Sequence, residues 1–439
     1  MAHRADLRTV FSLERHAVQL ATTPRRPLKA TNLTLGRARG FLLASSIVLA
    51  GLCLAGPALA DTTGTTAGLV SAASARAAAQ CSGKFAMVNT GPSADVTYSS
   101  AFRWTRLAIR ESNLRYGTAF TVVNTNVGSG TSTMLPIAQR LAANPDIKAI
   151  IGPQTSTATA TMGPVFDANG LGYVSGSASR TSLTDGSLKN FFRVIPNDSA
   201  QAPALGRFVA GTLRPSRVVV IQQDDPYALG LADGLTTTLT ALGVATTRST
   251  VALSATDYTD VIAQITTGDV VALAFLRAAD ANILVQQLHA AGKFPTLVGG
   301  DALYTTTFAG IGAYTTYGLP ALDATKDGRE AQALYLKTFH EAPIGGAGSF
   351  VAAQVVAQAA RTACRNGVVS RQGLLAALPH TRLADSLMGQ PVGFTARHDV
   401  INPRVHIFQL VASFHQVSAL PATAKRLGSM FAVFGHQNS

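Results

Sequence analysis

Short apolar runs alternate along the chain with longer stretches whose apolar positions recur every three or four residues. The runs at 84–89 (KFAMVN), 120–124 (FTVVN), 147–151 (IKAII), 172–175, 217–222 (RVVVIQ), 270–275 (VVALAF) and 296–299 predict strands. Helical spacing predicts helices over 99–116, 131–143, 157–169, 228–242 and 348–365, and over 280–291, capped by Asp280 and stopped at Gly292. Such alternation predicts an α/β architecture of parallel sheets with helices on both faces. Sites in these sheets lie at the carboxyl ends of strands. That rule selects 91–98, 152–157, 175–181, 223–227, 276–279 and 300–304.

Composition sharpens the picture. The 439 residues are 47% hydrophobic and 13% charged, which supplies more than one core and excludes wholesale disorder. The net charge of +13 is unevenly spread. Residues 1–60 carry eight Lys/Arg against Asp6 and Glu14, so +7 remains on the other 379 residues. No later basic run would grip phosphates, and a nucleic-acid partner is not expected.

An apolar run at 41–55 follows Arg37 and Arg39 and precedes Pro57-Ala58-Leu59-Ala60-Asp61. This is the charged, apolar and small-residue order of a secretory signal peptide cut after Ala60. The run falls short of the roughly 20 residues that span a bilayer, which disfavours the alternative of a membrane anchor. Residues 1–60 are therefore read as a signal peptide and 61–80, rich in Ala, Thr and Ser, as a flexible lead-in. The stretch before the apolar run is long for a signal peptide, which also fits a true start downstream of Met1. The mature protein is expected outside the cytoplasm. Cys81 and Cys364 remain after the cut, either bridged or as two separate thiols. No metal and no cofactor are expected.

The loops after two strands are small and hydroxyl-rich: Gly-Pro-Gln-Thr-Ser-Thr-Ala-Thr at 152–159 and Ser-Gly-Ser-Ala-Ser-Arg-Thr at 175–181. Each is read as leading into a helix N-terminus, where free N–H groups and hydroxyls suit an anion. Simple capping by Ser156 or Thr157 is the plainer reading of either loop alone. Later strand ends carry acids, Asp224 and Asp225 before Pro226-Tyr227, and Asp301 after Gly299-Gly300. An acid there either pairs with an ammonium group or serves as a solvated cap.

These segments together, AIIGPQTSTATATMGPVFDANGLGYVSGSASRTSLT, FFRVIPNDSAQAPALGRFVA and RVVVIQQDDPYALGLADGL, resemble the periplasmic leucine/isoleucine/valine-binding protein family, the type I solute-binding proteins of ABC importers. The similarity runs from about Lys84 to Gln409. It implies a two-lobed periplasmic-binding-protein type I fold whose lobes are joined by three crossings, near 195–198, 318–322 and 389–393. Residues 81–196 and 322–390 would form the first lobe, 197–321 and 391–439 the second.

The resemblance also implies site residues. Ser156, with Thr155 beside it, would bind a ligand carboxylate. Ala178 and Ser179 would contact both ends of an amino-acid head group. Tyr227 would pack on the ligand from the second lobe, Asp301 would take its ammonium, and Tyr98 would cover the side-chain pocket. The family often has an aromatic where Arg277 stands. Arg277 could pair with Asp301, bind a ligand carboxylate, or point to solvent.

The implied function is capture of an amino acid or related small carboxylate, by a monomer, for delivery to an ABC transporter permease. A sensory protein with the same fold is the alternative. A secreted α/β enzyme is remote: there is no G-x-S-x-G or H-E-x-x-H, Gly128-Ser129-Gly130 lacks the third glycine of a dinucleotide loop, and the histidines of the mature chain lie far in sequence from the hydroxyl loops.

Overall fold

A computed structural model describes residues 80–90, 96–128, 130–343, 345–411 and 414–421. The expected signal peptide and nearly all of the expected lead-in lie outside the described residues.

The first sheet contains β1 (Ser82–Asn89), β2 (Ala119–Asn126), β3 (Ile147–Ile151), β4 (Gly172–Ser175) and β5 (Phe191–Arg193), in the order β2-β1-β3-β4-β5, all parallel. Alternate residues feed two cores. Phe85, Met87, Ile151 and Phe192 pack with α1 (Val96–Tyr116), α9 (Gly348–Ala363) and α10 (Arg371–Ala377) on one face. Ala86, Val88, Ile150 and Tyr173 pack with α2 (Met134–Ala143) and α3 (Ser156–Ala168) on the other. Burial on both faces explains why these strands read as unbroken apolar runs.

The second sheet has β6 (Arg217–Gln223), β7 (Ala245–Val251), β8 (Val270–Ala274), β9 (Thr296–Gly299), β10 (Tyr314–Tyr317), β11 (Arg404–Leu410) and β12 (Phe414–Pro421). Their order is β12-β11-β10-β9-β8-β6-β7. Val218, Val220 and Ala272 pack on α4 (Asp198–Phe208) and α5 (Pro226–Ala241). Val219, Ile221 and Leu273 pack on α6 (Thr259–Ala263) and α7 (Ala278–Ala290). One end departs from the expected parallel pattern: β10–β11 and β11–β12 are antiparallel. The remaining helix, α8 (Lys326–Phe339), packs through Ala331 and Tyr335 on the first sheet's core.

The chain passes between the sheets three times. Ile195 and Leu319 belong to the first core, while α4 starts at Asp198 and β10 ends at Tyr317. The two passages touch, since a Cβ on Gly318 would lie 2.7 Å from Pro196. The third passage is displaced from the expected 389–393. Val392, Phe394 and Val400 still pack in the first core, and the chain joins the second sheet only at Arg404.

Two helix starts also differ. Thr155, rather than Ser156 or Thr157, caps α3 by accepting the Ala158 N–H at 3.2 Å. α7 begins at Ala278, so Asp280 lies inside its first turn and is no cap. The 175–181 loop leads only into a short 3-10 turn at Thr181–Thr184.

Candidate functional site

A cavity of 410 Å³ lies where the strand ends of both sheets meet, bordered by Thr155 and Ser156 from one side and Tyr227, Arg277 and Asp301 from the other.

On the first side, Gly152 turns the chain after β3 with φ +101°, and a Cβ there would sit 2.8 Å from the Val88 carbonyl oxygen. Only glycine fits such a turn without strain. Ser156 Oγ accepts the Arg180 N–H at 3.1 Å, which joins the two hydroxyl loops and leaves the Ser156 hydroxyl hydrogen to donate elsewhere. Ser175 Oγ donates to the Pro153 carbonyl at 2.7 Å and accepts the Ala178 N–H at 3.0 Å. Ser177 Oγ lies 2.8 Å from Gln154 Oε1. Behind the loops, buried Arg193 donates to the carbonyls of Ala178 (3.2 Å) and Arg180 (2.8 Å) and pairs with Asp399 at 2.5 Å. The guanidinium thus ties the second loop to the segment just before the third passage.

On the second side, Asp225 caps α5 by accepting the Tyr227 N–H at 2.8 Å. The Tyr227 hydroxyl then donates to Asp301 Oδ1 at 2.9 Å. Gly300 makes room for it, since a Cβ there would lie 2.2 Å from that hydroxyl. Gln201 bridges two acids: its Oε1 accepts the Asp301 N–H (3.2 Å) and the Thr316 hydroxyl (2.7 Å), and its Nε2 donates to Asp198 Oδ1 (2.9 Å).

The electrostatics follow. Asp198 is buried, and among the described residues its Oδ2 has no hydrogen-bond partner. Burial first, and Asp301 second, push its carboxyl up to about 7, against the pull of Ser179, Gln201 and the more distant Arg193. Asp301 is raised as well, by burial, with Tyr227 and Gln201 opposing. Among the described residues neither acid has a salt-bridged cation, and Asp301 borders the cavity while Asp198 lies buried behind it. Such an acid corner favours a cationic group on a bound molecule.

The structure brings together Ser156, Thr155, Tyr227, Asp301 and Arg277 of the expected residues. Ala178 and Ser179 are buried and do not border the cavity. The side chain of Tyr98, near the start of α1, lies outside the described residues. Arg277 does not pair with Asp301. Its Nε donates to Asp280 Oδ2 at 2.9 Å, which neutralises it while it still borders the cavity. Cys81 and Cys364 are joined by a disulfide, with Cα atoms 6.0 Å apart.

Sequence reasoning missed Gln154, Ser177, Tyr304 and Tyr317, which border the cavity, and the buried Asp198 and Gln201, which stand behind Asp301 and do not. Asp198 and Gln201 stood within the quoted NDSAQ motif, and an acid at a crossing was the available signal. The Tyr304 and Tyr317 rings stack with centroids 4.3 Å apart, and both border the cavity. No sequence spacing links them. His406, distant in sequence from the hydroxyl loops, pairs in register with Tyr317.

A model of the periplasmic binding protein family matches residues 57–414. The chain belongs to that family. Among curated relatives, the Leu/Ile/Val-binding protein BraC3 of Rhizobium johnstonii is 29% identical over 41% of this chain and 50% of its own length. The chain thus spans about half the length of the first relatives it matches. The Leu/Ile/Val-binding protein homolog 1 of Brucella abortus is 26% identical over 63% of this chain and 77% of its own. The fold is shared with the leucine binding protein LivK of Thermotoga maritima (TM-score 0.67, 18% identity, 77% of this chain and 98% of that one). It is shared with LivJ of Streptococcus pneumoniae, solved with isoleucine (0.67, 20%, 78% and 99%). A solute-binding protein from R. palustris solved with benzoate matches equally well (0.68, 16%, 78% and 98%). The solved structures establish the two-lobed type I fold. Among the described residues no helix is long and apolar enough to cross a membrane.

Proposed function

We propose that this periplasmic binding protein is the extracytoplasmic solute-binding component of a branched-chain-amino-acid-type ABC transporter, exported by cleavage after Ala60. It captures an α-amino acid between its lobes, taken as 81–196 with 322–400 and 197–321 with 404–421, and presents it to a membrane permease. The observation that carries this reading is one cavity bordered by Ser156 on one side and Asp301 on the other, with Asp198 buried behind Asp301 through Gln201. Asp301 would receive the ammonium, with Asp198 adding its charge from behind; the Ser156 hydroxyl and the start of α3 would receive the carboxylate.

Binding proceeds without chemistry. A ligand held first by Ser156 gains its ammonium contacts only when Asp301 and Tyr227 approach, so it favours the closed lobes. Calorimetry with the purified protein and a panel of amino acids tests this. Saturable heat with at least one α-amino acid is expected. No heat and no rise in melting temperature with any of them would overturn the reading.

A further inference from the structure

Within the proposed reading, the part of the cavity beyond the head-group contacts decides which amino acid fits. We propose that the cleft selects an α-amino acid whose side chain carries an aromatic ring, with Tyr304 and Tyr317 as the specificity-determining residues.

Three features point there. First, the wall is aromatic and stiff. Tyr304 and Tyr317 lie nearly parallel, 19° apart at 4.3 Å, and Phe408 backs Tyr304 at 4.6 Å. Tyr317 ends β10 and Phe408 lies on β11, so neighbouring strands of one sheet hold the rings in place. A ring meets such a surface with a preference that an aliphatic chain of equal area lacks.

Second, apart from Asp301 the cavity lining carries no uncompensated charge among the described residues. Arg277 is neutralised by Asp280, whose Oδ2 also accepts from Gln223 at 2.8 Å. Gln154 Nε2 already donates to Ser349 at 3.2 Å, and its Oε1 lies beside the Ser177 hydroxyl. An acidic or basic ligand side chain would find no counter-charge here.

Third, there is room. Leu276, Ala278 and Ala279 form the border beside Arg277, and the alanines leave space where larger residues would fill it. A cavity of 410 Å³ is within the roughly 300–1,000 Å³ range that encloses drug-sized ligands, well beyond what a leucine occupies beside its head group.

The test is calorimetric titration of the purified protein with phenylalanine, tryptophan, leucine, isoleucine and benzoate. Phenylalanine or tryptophan should bind about 10-fold tighter than leucine, the factor that ring packing of this kind supplies. Tyr304→Leu and Tyr317→Leu should each remove most of that preference. Tyr304→Phe and Tyr317→Phe, which keep the rings, should retain it, so a general loss of structure is separable from the loss of a ring. Leucine binding as tightly as phenylalanine would overturn the inference and leave the proposed function standing. So would an unchanged preference in the leucine variants. Benzoate binding tighter than every amino acid, or no amino acid binding at all, would remove the proposed function and this inference with it.

Discussion

Thr157 and Asp225 meet across the cleft: the Thr157 hydroxyl on α3 donates to Asp225 Oδ2, at the head of α5, over 3.0 Å. The same carboxylate caps α5 through its other oxygen. Since the two helices pack on different sheets, this bond exists only while the lobes are together. It therefore contributes to the closed state alone. Thr157→Val removes the hydroxyl with little change in shape. Ligand affinity should fall about fivefold, the worth of roughly 1 kcal/mol of hydrogen bonding, and the melting temperature without ligand should change little. Equal affinities in calorimetry would show that the bond does not bias closure.

Gly300 holds Tyr227 against Asp301. A methyl group there would overlap the Tyr227 hydroxyl, which must then leave its carboxylate partner. Gly300→Ala should weaken amino-acid binding by more than about tenfold, and Tyr227→Phe by less, because the phenylalanine ring still fills its place. If Gly300→Ala binds as well as the parent, the Tyr227–Asp301 contact does not order the site.

How far these residues could be read in advance depended on how local their signals are. The strands β3, β4 and β9 run where the apolar pattern put them, because a buried parallel strand is a short apolar run bounded by turn residues. β10 (YTTY) and β12 lack that pattern and escaped notice, for they lie toward the end of a mixed sheet and carry polar residues. Ser156 and Asp301 were legible as strand-end residues. Asp198 was not, because an acid at the first turn of a helix normally reads as a cap. Here Asn197 does the capping, by accepting the Ser199 N–H, and Asp198 is buried against Gln201, behind the cavity wall. Ala178 and Ser179 share a loop with cavity residues, yet Arg193 draws the backbone around them inward. The ring pair Tyr304–Tyr317 comes from the sheet order, which no single segment encodes.

The disulfide ties the residue before β1 to the end of α9, residues 283 positions apart. Closing so long a loop restricts the unfolded chain, and removing a native bridge typically costs about 2–5 kcal/mol. Cys81→Ser with Cys364→Ser should lower the midpoint of denaturant unfolding by a corresponding amount. Neither cysteine borders the cavity, so ligand affinity should remain within about twofold. Two free thiols by mass spectrometry in the unreduced, exported protein would refute the bridge.

The acid corner gives the binding reaction a pH dependence whose sign can be worked out. Asp198, raised to about 7, faces Asp301, itself raised, and the groups that oppose the rise are Gln201, Ser179 and Arg193. An acid whose carboxyl is raised on folding is stabilising to neither lobe once ionised. Stability should fall as pH climbs from about 4, where the unfolded acid loses its proton, to about 7. An ammonium ligand reverses the preference, because it stabilises the ionised corner and expels the proton. Its affinity should therefore rise with pH up to about 7 and level off above it, falling about tenfold for each unit below. Titrations at pH 6 in buffers of different ionisation enthalpy should show close to one proton released per ligand bound. Asp198→Asn should flatten the pH profile and abolish the release, while Asp301→Ala should cost at least about 1.5 kcal/mol of affinity at pH 8, as for a lost charge-assisted bond. An affinity that is level from pH 5 to 8 in the parent protein would mean that the corner is ionised before the ligand arrives, and that the cation meets two standing charges instead of displacing a proton.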